Sequence, residues 1–322
     1  MPYSISVVIP AYNSEKTIKN TILNVLQQTE PPEEVIVVDD GSTDDTASVI
    51  GCFDARLKLI QQKNQGPSVA RQIGTEAASG DYIAYLDADD WWPANKIERW
   101  RKILDKEKID FMMADLQRAK QGDEPKNYLP RNSSIYPWAK EYFQDGRKAS
   151  SGIKNLFYLD NAIGLSFLLQ GFPVYPSTLL VKRNVTFSVG GWDSRYRCAE
   201  DFDIGLRITR KYGLHYLNEV GAIVGLHEGH ADLYNYVVKQ TEGDIQVLLG
   251  HLKYESDESS YYRLVSEAVG RKYRGLGYFH RQYNNYRQAC KCYREALNWP
   301  GYKLHTLTRW FFTSMQKALL KC

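Results

Sequence analysis

Three of the four residues Asp87-Ala-Asp89-Asp90 are acids, and they follow the apolar run Tyr82-Ile-Ala-Tyr-Leu86 without a spacer. Carboxylates this close repel one another unless a cation or hydrogen-bond donors compensate them. Asp is a hard oxygen ligand, and a pair projecting from one strand end suits Mg2+ or Mn2+ that also holds substrate phosphates. An N-cap or a solvated acidic turn before a helix expected over 94–106 would use the same residues. For an isolated DxD that plainer reading is the stronger one, but the buried strand in front of this pair shifts the balance towards chemistry.

Three further clusters have the same double character. In Asp39-Asp40-Gly-Ser-Thr-Asp-Asp45, a strand-end Asp can accept hydrogen bonds from a nucleobase imide or ribose hydroxyls, and Tyr12 offers a ring for stacking. An Asx-turn with a Thr43 cap explains part of that pattern. Arg71 follows Asn64-x-Gly66 in the first turns of a helix, where it either binds the nucleotide or pairs with a strand-end acid. Glu200-Asp201-x-Asp203 opens a helix, which acids favour electrostatically, and the functional alternative is a general base on the acceptor side. His227-Glu-Gly-His230 lacks the H-E-x-x-H spacing of zinc proteases, which leaves a single His as an extra ligand or phosphate contact.

These clusters need elements to position them. Short β-branched runs at 4–9, 34–39, 57–61 and 82–86 alternate with helical spacing over 15–28, 43–50 and 66–79. Such alternation argues for βαβ units, and open sheets of that kind bind ligands at the carboxyl ends of their strands. Tyr12 and Asn13, Asp39 and Asp40, and Asp87 to Asp90 all lie at those ends. Residues 117–160 are polar, Tyr-rich and without a readable pattern; 176–183 is strand-like, 200–212 helical, and 223–227 a candidate strand end.

The C-terminal part turns all-helical. Tyr273-x-x-Leu276-Gly277, then Ala289-x-x-x-Tyr293-x-x-Ala296 and Pro300, resembles the small and large pattern of one tetratricopeptide unit, although a generic helical hairpin explains it almost as well. The expected organisation is a catalytic domain over 1–235 and a helical region over 236–322.

The 322-residue chain has a net charge of +3 that is unevenly spread. From Ser259 onward there are twelve lysines and arginines against two acids, which leaves the preceding part at −7. Anionic company follows: a membrane surface, a lipid phosphate, nucleic acid or the acidic body itself. The terminal "LTRWFFTSMQKALLK" fits either a headgroup surface or packing on the body. No stretch approaches the ~20 apolar residues of a membrane span, and five scattered cysteines fit reduced thiols. With no secretory leader read at the N-terminus, a cytoplasmic location is expected, with or without peripheral contact on the inner membrane face.

In this order, PAYN (10–13), VDDGSTDDT (38–46), NQGPSVAR (64–71), YIAYLDADDWWP (82–93), GGWD (190–193) and AEDFD (199–203) resemble family 2 glycosyltransferases over roughly residues 4–230. The resemblance implies a GT-A fold, an α/β sheet of Rossmann-like mixed type flanked by helices, here with a C-terminal helical extension. It also implies an inverting, metal-dependent glycosyltransferase of the hexosyl type, with UDP the expected carrier and Mn2+ or Mg2+ the cofactor. By that similarity Pro10, Tyr12, Asp40 and Arg71 hold the nucleotide, and Asp87 contacts ribose or metal. Asp89 coordinates the cation, Asp201 is the base, and His227 makes a late metal or pyrophosphate contact. Trp192, Asp193 and Glu200 fall on the acceptor side. The implied partners are a nucleotide-sugar donor and a glycan or lipid-linked acceptor in cell-surface polysaccharide synthesis, and no nucleic acid. Two departures stand out: Gln72 replaces the family's usual Asn, and His227 lies in a less basic stretch than usual, which leaves His230 as its rival. The competing classes are a sugar-nucleotide pyrophosphorylase, which needs a basic glycine-rich loop that "PAYNSEKT" does not supply, and a non-catalytic nucleotide-binding scaffold.

Overall fold

The structure is a computed structural model that describes residues 3–53, 57–120, 129–143, 152–226, 233–301 and 303–319. The chain divides into two compact units, Met1–Glu228 and Gly229–Cys322.

In the first unit the elements run β1 (Ile5–Ala11), α1 (Ile18–Leu26), β2 (Glu34–Asp39), α2 (Thr46–Ile50), β3 (Leu57–Gln61), α3 (Pro67–Ala77), β4 (Tyr82–Tyr85) and α4 (Lys96–Leu104). There follow β5 (Phe111–Lys120), α5 (Asn132–Ile135), β6 (Leu156–Leu159), α6 (Asn161–Leu169), β7 (Leu179–Lys182), α7 (Arg183–Ser188), α8 (Glu200–Tyr212) and β8 (Leu214–Leu226). They build one eight-stranded sheet in the order β3-β2-β1-β4-β7-β5-β8-β6. The first four strands are mutually parallel, as their alternation with helices requires. Strand β7 runs antiparallel to both β4 and β5, and β6 antiparallel to β8, so the sheet is mixed.

The order 3-2-1-4 reverses direction between β1 and β4, which makes the crevice beyond their carboxyl ends the topological switch point. Helices on the sheet explain why β1, β2 and β4 are apolar on both faces. Ile18, Ile22 and Val25 of α1 fall on one stripe and are fully buried, each contributing about 1.5–3 kcal/mol of transfer free energy. Helix α3 meets β1 at Gly74, where a Cβ would sit 2.3 Å from Val8 Cγ1. That close approach lets the long Arg71 side chain run buried beside the strand ends.

The second unit comprises α9 (Leu233–Leu252), α10 (Ser260–Gln282), α11 (Tyr286–Leu297) and α12 (Lys303–Leu319). Ser259 caps α10 by accepting from Tyr262 N at 2.9 Å. Across the α10–α11 hairpin, Gly277 leaves room for the Tyr293 ring, which a Cβ would meet at 2.9 Å, and Ala289 and Ala296 are buried on the same α11 face. Among the described residues no helix is long and apolar enough to cross a membrane.

Candidate active site

At the end of β4 the chain folds back on itself, with Asp90 N donating to Asp87 O at 3.1 Å. Asp87 and Asp89 emerge half-buried from this turn, whereas Asp90 is buried. The hidden acid does more than favour the following helix. Its Oδ2 accepts from Ser177 Oγ at 2.5 Å and its Oδ1 from Gly225 N at 3.1 Å, so it ties the turn to two other parts of the sheet. Burial, with Asp89 and Asp87 nearby, pushes its pKa well up.

Ser177 is the hub beneath the turn, and sequence reasoning passed over it. Its hydroxyl accepts from Asp87 N at 3.1 Å, and its carbonyl accepts from Trp92 Nε1 at 2.8 Å and Lys96 Nζ at 2.6 Å. Lys96 lies over the Trp92 and Trp100 rings at 4.0 and 4.3 Å, and burial pulls its pKa well down despite Asp90. On the opposite side, Trp91 and Ile223 exchange backbone hydrogen bonds at 3.0 and 2.8 Å, joining the turn to the end of β8. There a Cβ on Gly225 would come within 2.8 Å of Asp89 O, so only glycine permits the approach.

Arg71 pairs with strand-end and helix-start acids. The guanidinium is buried, with Nη2 donating to Asp87 Oδ1 at 2.6 Å and Nη1 to Glu200 Oε1 at 2.7 Å. Its plane lies 5.0 Å from the centre of the Trp192 ring. Burial alone would lower the arginine pKa, but Asp87 and Glu200 raise it above the ordinary value and hold it charged. Burial raises Asp87 in turn; Arg71 opposes the rise and Asp89 adds to it. One cation thus spans the DxD turn and the start of α8, with Glu200 as its partner on the helix.

Helix α8 begins after Ala199, a non-glycine residue at φ 64° and ψ 23°. A left-handed alanine stores strain, and here it stands beside Glu200 and Asp201. Asp201 is half-buried in the first turn, with Oδ1 accepting from Phe202 N at 2.7 Å. Trp192 is held by Gln72, whose Oε1 accepts from Trp192 N at 2.8 Å and lies where a Cβ on Gly191 would be. The glutamine that departs from the family pattern therefore anchors the Gly-Gly-Trp turn. Asp193 is taken by Arg195, which donates from Nε and Nη2 at 2.9 and 2.6 Å; those bonds outweigh burial and lower the Asp193 pKa.

At the β2 end the acid is bound from within the chain. Asp40 is buried, accepting from Gln62 Nε2 at 2.6 Å and from the N–H groups of Gln65 and Gly66, each at 2.8 Å. Three donors fill most of the roughly four acceptor positions of a carboxylate, so Asp40 first of all shapes the loop entering α3. Tyr12 is half-exposed beyond β1, next to Asn13 at φ 48°, and Pro10 lies near the carboxyl end of that strand. His227 and His230 lie outside the described residues. Among the described residues no three or more His, Cys, Asp or Glu side chains form a metal-holding group. The oxygen pair Asp87 and Asp89 nonetheless fits a cation of the Mg2+ type, which takes one or two carboxylates and completes its shell with phosphate and water.

The mixed sheet flanked by helices, with acids at the strand ends of its switch point, has the GT-A type of nucleotide-sugar transferase fold. The sequence model of Glycosyl transferase family 2 matches residues 6–167, half of the chain, and the chain belongs to that family. It is 39% identical over 117 residues to Escherichia coli WfgD, a UDP-Glc:alpha-D-GlcNAc-diphosphoundecaprenol beta-1,3-glucosyltransferase, covering 36% of this chain and 46% of WfgD. Among curated relatives the matched stretch spans between 18% and 46% of their own length. In fold, the chain is similar to S. aureus TarS in complex with UDP-GlcNAc, with a TM-score of 0.64, 17% identity, and coverage of 91% and 80% of the two chains. It is also similar to the mannosyltransferase PcManGT from Pyrobaculum calidifontis in complex with GDP-Man and Mn2+, with a TM-score of 0.59, 16% identity, and coverage of 99% and 86%.

Proposed function

We propose that the protein transfers a sugar, with inversion, from a nucleotide sugar, UDP being the carrier, to a hydroxyl of a glycan or lipid-linked acceptor in cell-surface polysaccharide synthesis. The observation that carries this reading is the Arg71 bridge, which links the DxD turn at Asp87 to the start of α8 through Glu200. Donor-side and base-side carboxylates are thereby fixed to one buried group. WfgD, by its name, uses UDP-Glc and a diphosphoundecaprenol-linked acceptor, which supports the donor and the lipid-linked alternative.

Asp201 takes the proton of the acceptor hydroxyl as that oxygen bonds to the anomeric carbon and the bond from that carbon to the diphosphate breaks. The proton ends on Asp201 and the electron pair leaves with the nucleoside diphosphate. Tyr12, exposed at the switch point, stacks on the base, and Asp40 shapes the loop beside it. A divalent cation held by Asp89 with Asp87 would neutralise the diphosphate as it departs. His227 is the proposed late contact to that group.

The test is nucleotide release from a panel of UDP-sugars with Mn2+, with and without polyprenyl-diphosphate-linked sugar acceptors. We expect acceptor-stimulated release of UDP that Asp201→Asn abolishes while donor binding persists. Normal turnover in Asp201→Asn, or release of UTP that depends on pyrophosphate, would discard the reading.

A further inference from the structure

Helix α12 is built inside out. Among its described residues Thr306 and Thr313 are the most buried, 1% and 0% exposed. Leu304, Phe311 and Phe312 are 77%, 56% and 59% exposed, and Leu307 and Met315 continue the same outward stripe. At 100° per residue these five span one contiguous face, with Thr308 the polar residue within it. A helix that hides threonines and shows two phenylalanines is placed for something apolar outside the chain.

Arginines border this stripe along its length. Arg274 Nη1 donates to Gly301 O at 3.5 Å at the start of α12, and Arg309 lies 5.0 Å over the Tyr278 ring in the middle. Arg281 Nε donates to Gln316 Oε1 at 3.2 Å near the end. Positions 309 and 316 lie about two turns apart on the helix, so the Arg309 and Arg281 guanidinium groups share one flank, with Arg274 at its N-terminal end. Arg287 and Arg294 are exposed on neighbouring α11, and from Ser259 onward twelve cationic residues face two acids.

We infer that α12 docks the protein on an anionic phospholipid surface, with Leu304, Leu307, Phe311, Phe312 and Met315 entering the acyl boundary and the arginine flank meeting the headgroups. Charge selects this occupant. A second copy would bring another strongly cationic surface against the first, whereas anionic headgroups supply the counter-charge. The inference goes beyond sugar transfer, and its test is independent of turnover.

The full chain is floated with vesicles of phosphatidylcholine alone and of phosphatidylcholine with phosphatidylglycerol, at low and high salt. We expect co-flotation with the anionic vesicles, weakened by salt, and little with the neutral ones. The double variant Phe311→Ser, Phe312→Ser should lower partitioning about tenfold or more, because each phenylalanine contributes a large apolar area. Arg309→Gln should weaken binding to anionic vesicles alone. Circular dichroism and donor binding should be unchanged in both, since these residues lie outside the candidate site. No flotation at low salt overturns the inference, and so does flotation that the double variant leaves intact. Absence of flotation together with self-association that the double variant abolishes overturns it in favour of a second copy.

Discussion

Removal of the Arg71 charge leaves Asp87 and Glu200 without their shared partner in a largely buried setting. Breaking a buried pair from one side costs about 3–5 kcal/mol, so Arg71→Met is expected to lower stability by that order in chemical denaturation and to lose transfer as well. Arg71→Lys should rescue little, because one ammonium cannot span two carboxylates as the planar fork does. Asp89→Asn is the contrasting case: half-buried at the crevice, it should reduce metal-dependent UDP release about a hundredfold or more with a nearly unchanged melting temperature. Equal stability losses in the two variants would contradict this division of labour. The sequence made the acids legible because strand ends gather ligands, and it kept both alternatives open for Arg71. It did not separate an acid that faces the crevice from one that faces inward. Asp40, Asp90 and Asp193 look alike by type, yet each is engaged by a different nearby donor, and only the fold determines which donors those are.

Two strand ends meet where Gly225 of β8 passes Asp89. Gly225→Ala would place a methyl group 2.8 Å from a backbone oxygen, which cannot swing aside as a side-chain tip can. We expect the turn to move and Mn2+-dependent transfer to fall severalfold or more, with a stability loss of about 1–3 kcal/mol; unchanged activation by Mn2+ would show that the turn tolerates the shift. The sheet edge offers a pH test. His215 of β8 is buried, its ring 4.8 Å from that of Tyr158 on β6, and burial lowers its pKa although Glu107 and Asp110 oppose this. A lowered imidazole pKa means that the unfolded chain takes up the proton first. Stability is therefore full above about pH 6.5 and falls as pH drops through the lowered folded value. His215→Gln should flatten the slope between pH 7.5 and 5.5, measured by urea denaturation. Elements with local periodicity, such as β1 to β4 and α8, could be read from the chain. Strand β7 enters antiparallel between β4 and β5, and the end of β5 runs into the stretch from 117 that showed no pattern; those pairings depend on contacts distant in sequence.

At the scale of the whole molecule, the two compact units raise the question of what a donor ligand stabilises. A ligand that binds only the folded first unit adds RT ln(1 + [L]/Kd), about 2.7 kcal/mol at a hundredfold excess over Kd, and only to states in which that unit is formed. Hydrogen exchange on the full chain can therefore separate the units. With UDP and Mn2+, peptides covering the end of β2, the turn after β4 and the end of β8 should gain protection, because those segments share Asp40, Asp87, Asp89 and Gly225. Peptides from the α10–α11 hairpin should keep their rates, since its core around Gly277 and Tyr293 is self-contained. Equal gains in both sets would mean that the chain opens as one cooperative body. Protection confined to α10 and α11 would place the nucleotide outside the strand-end crevice and remove the basis for assigning Asp89 to a metal.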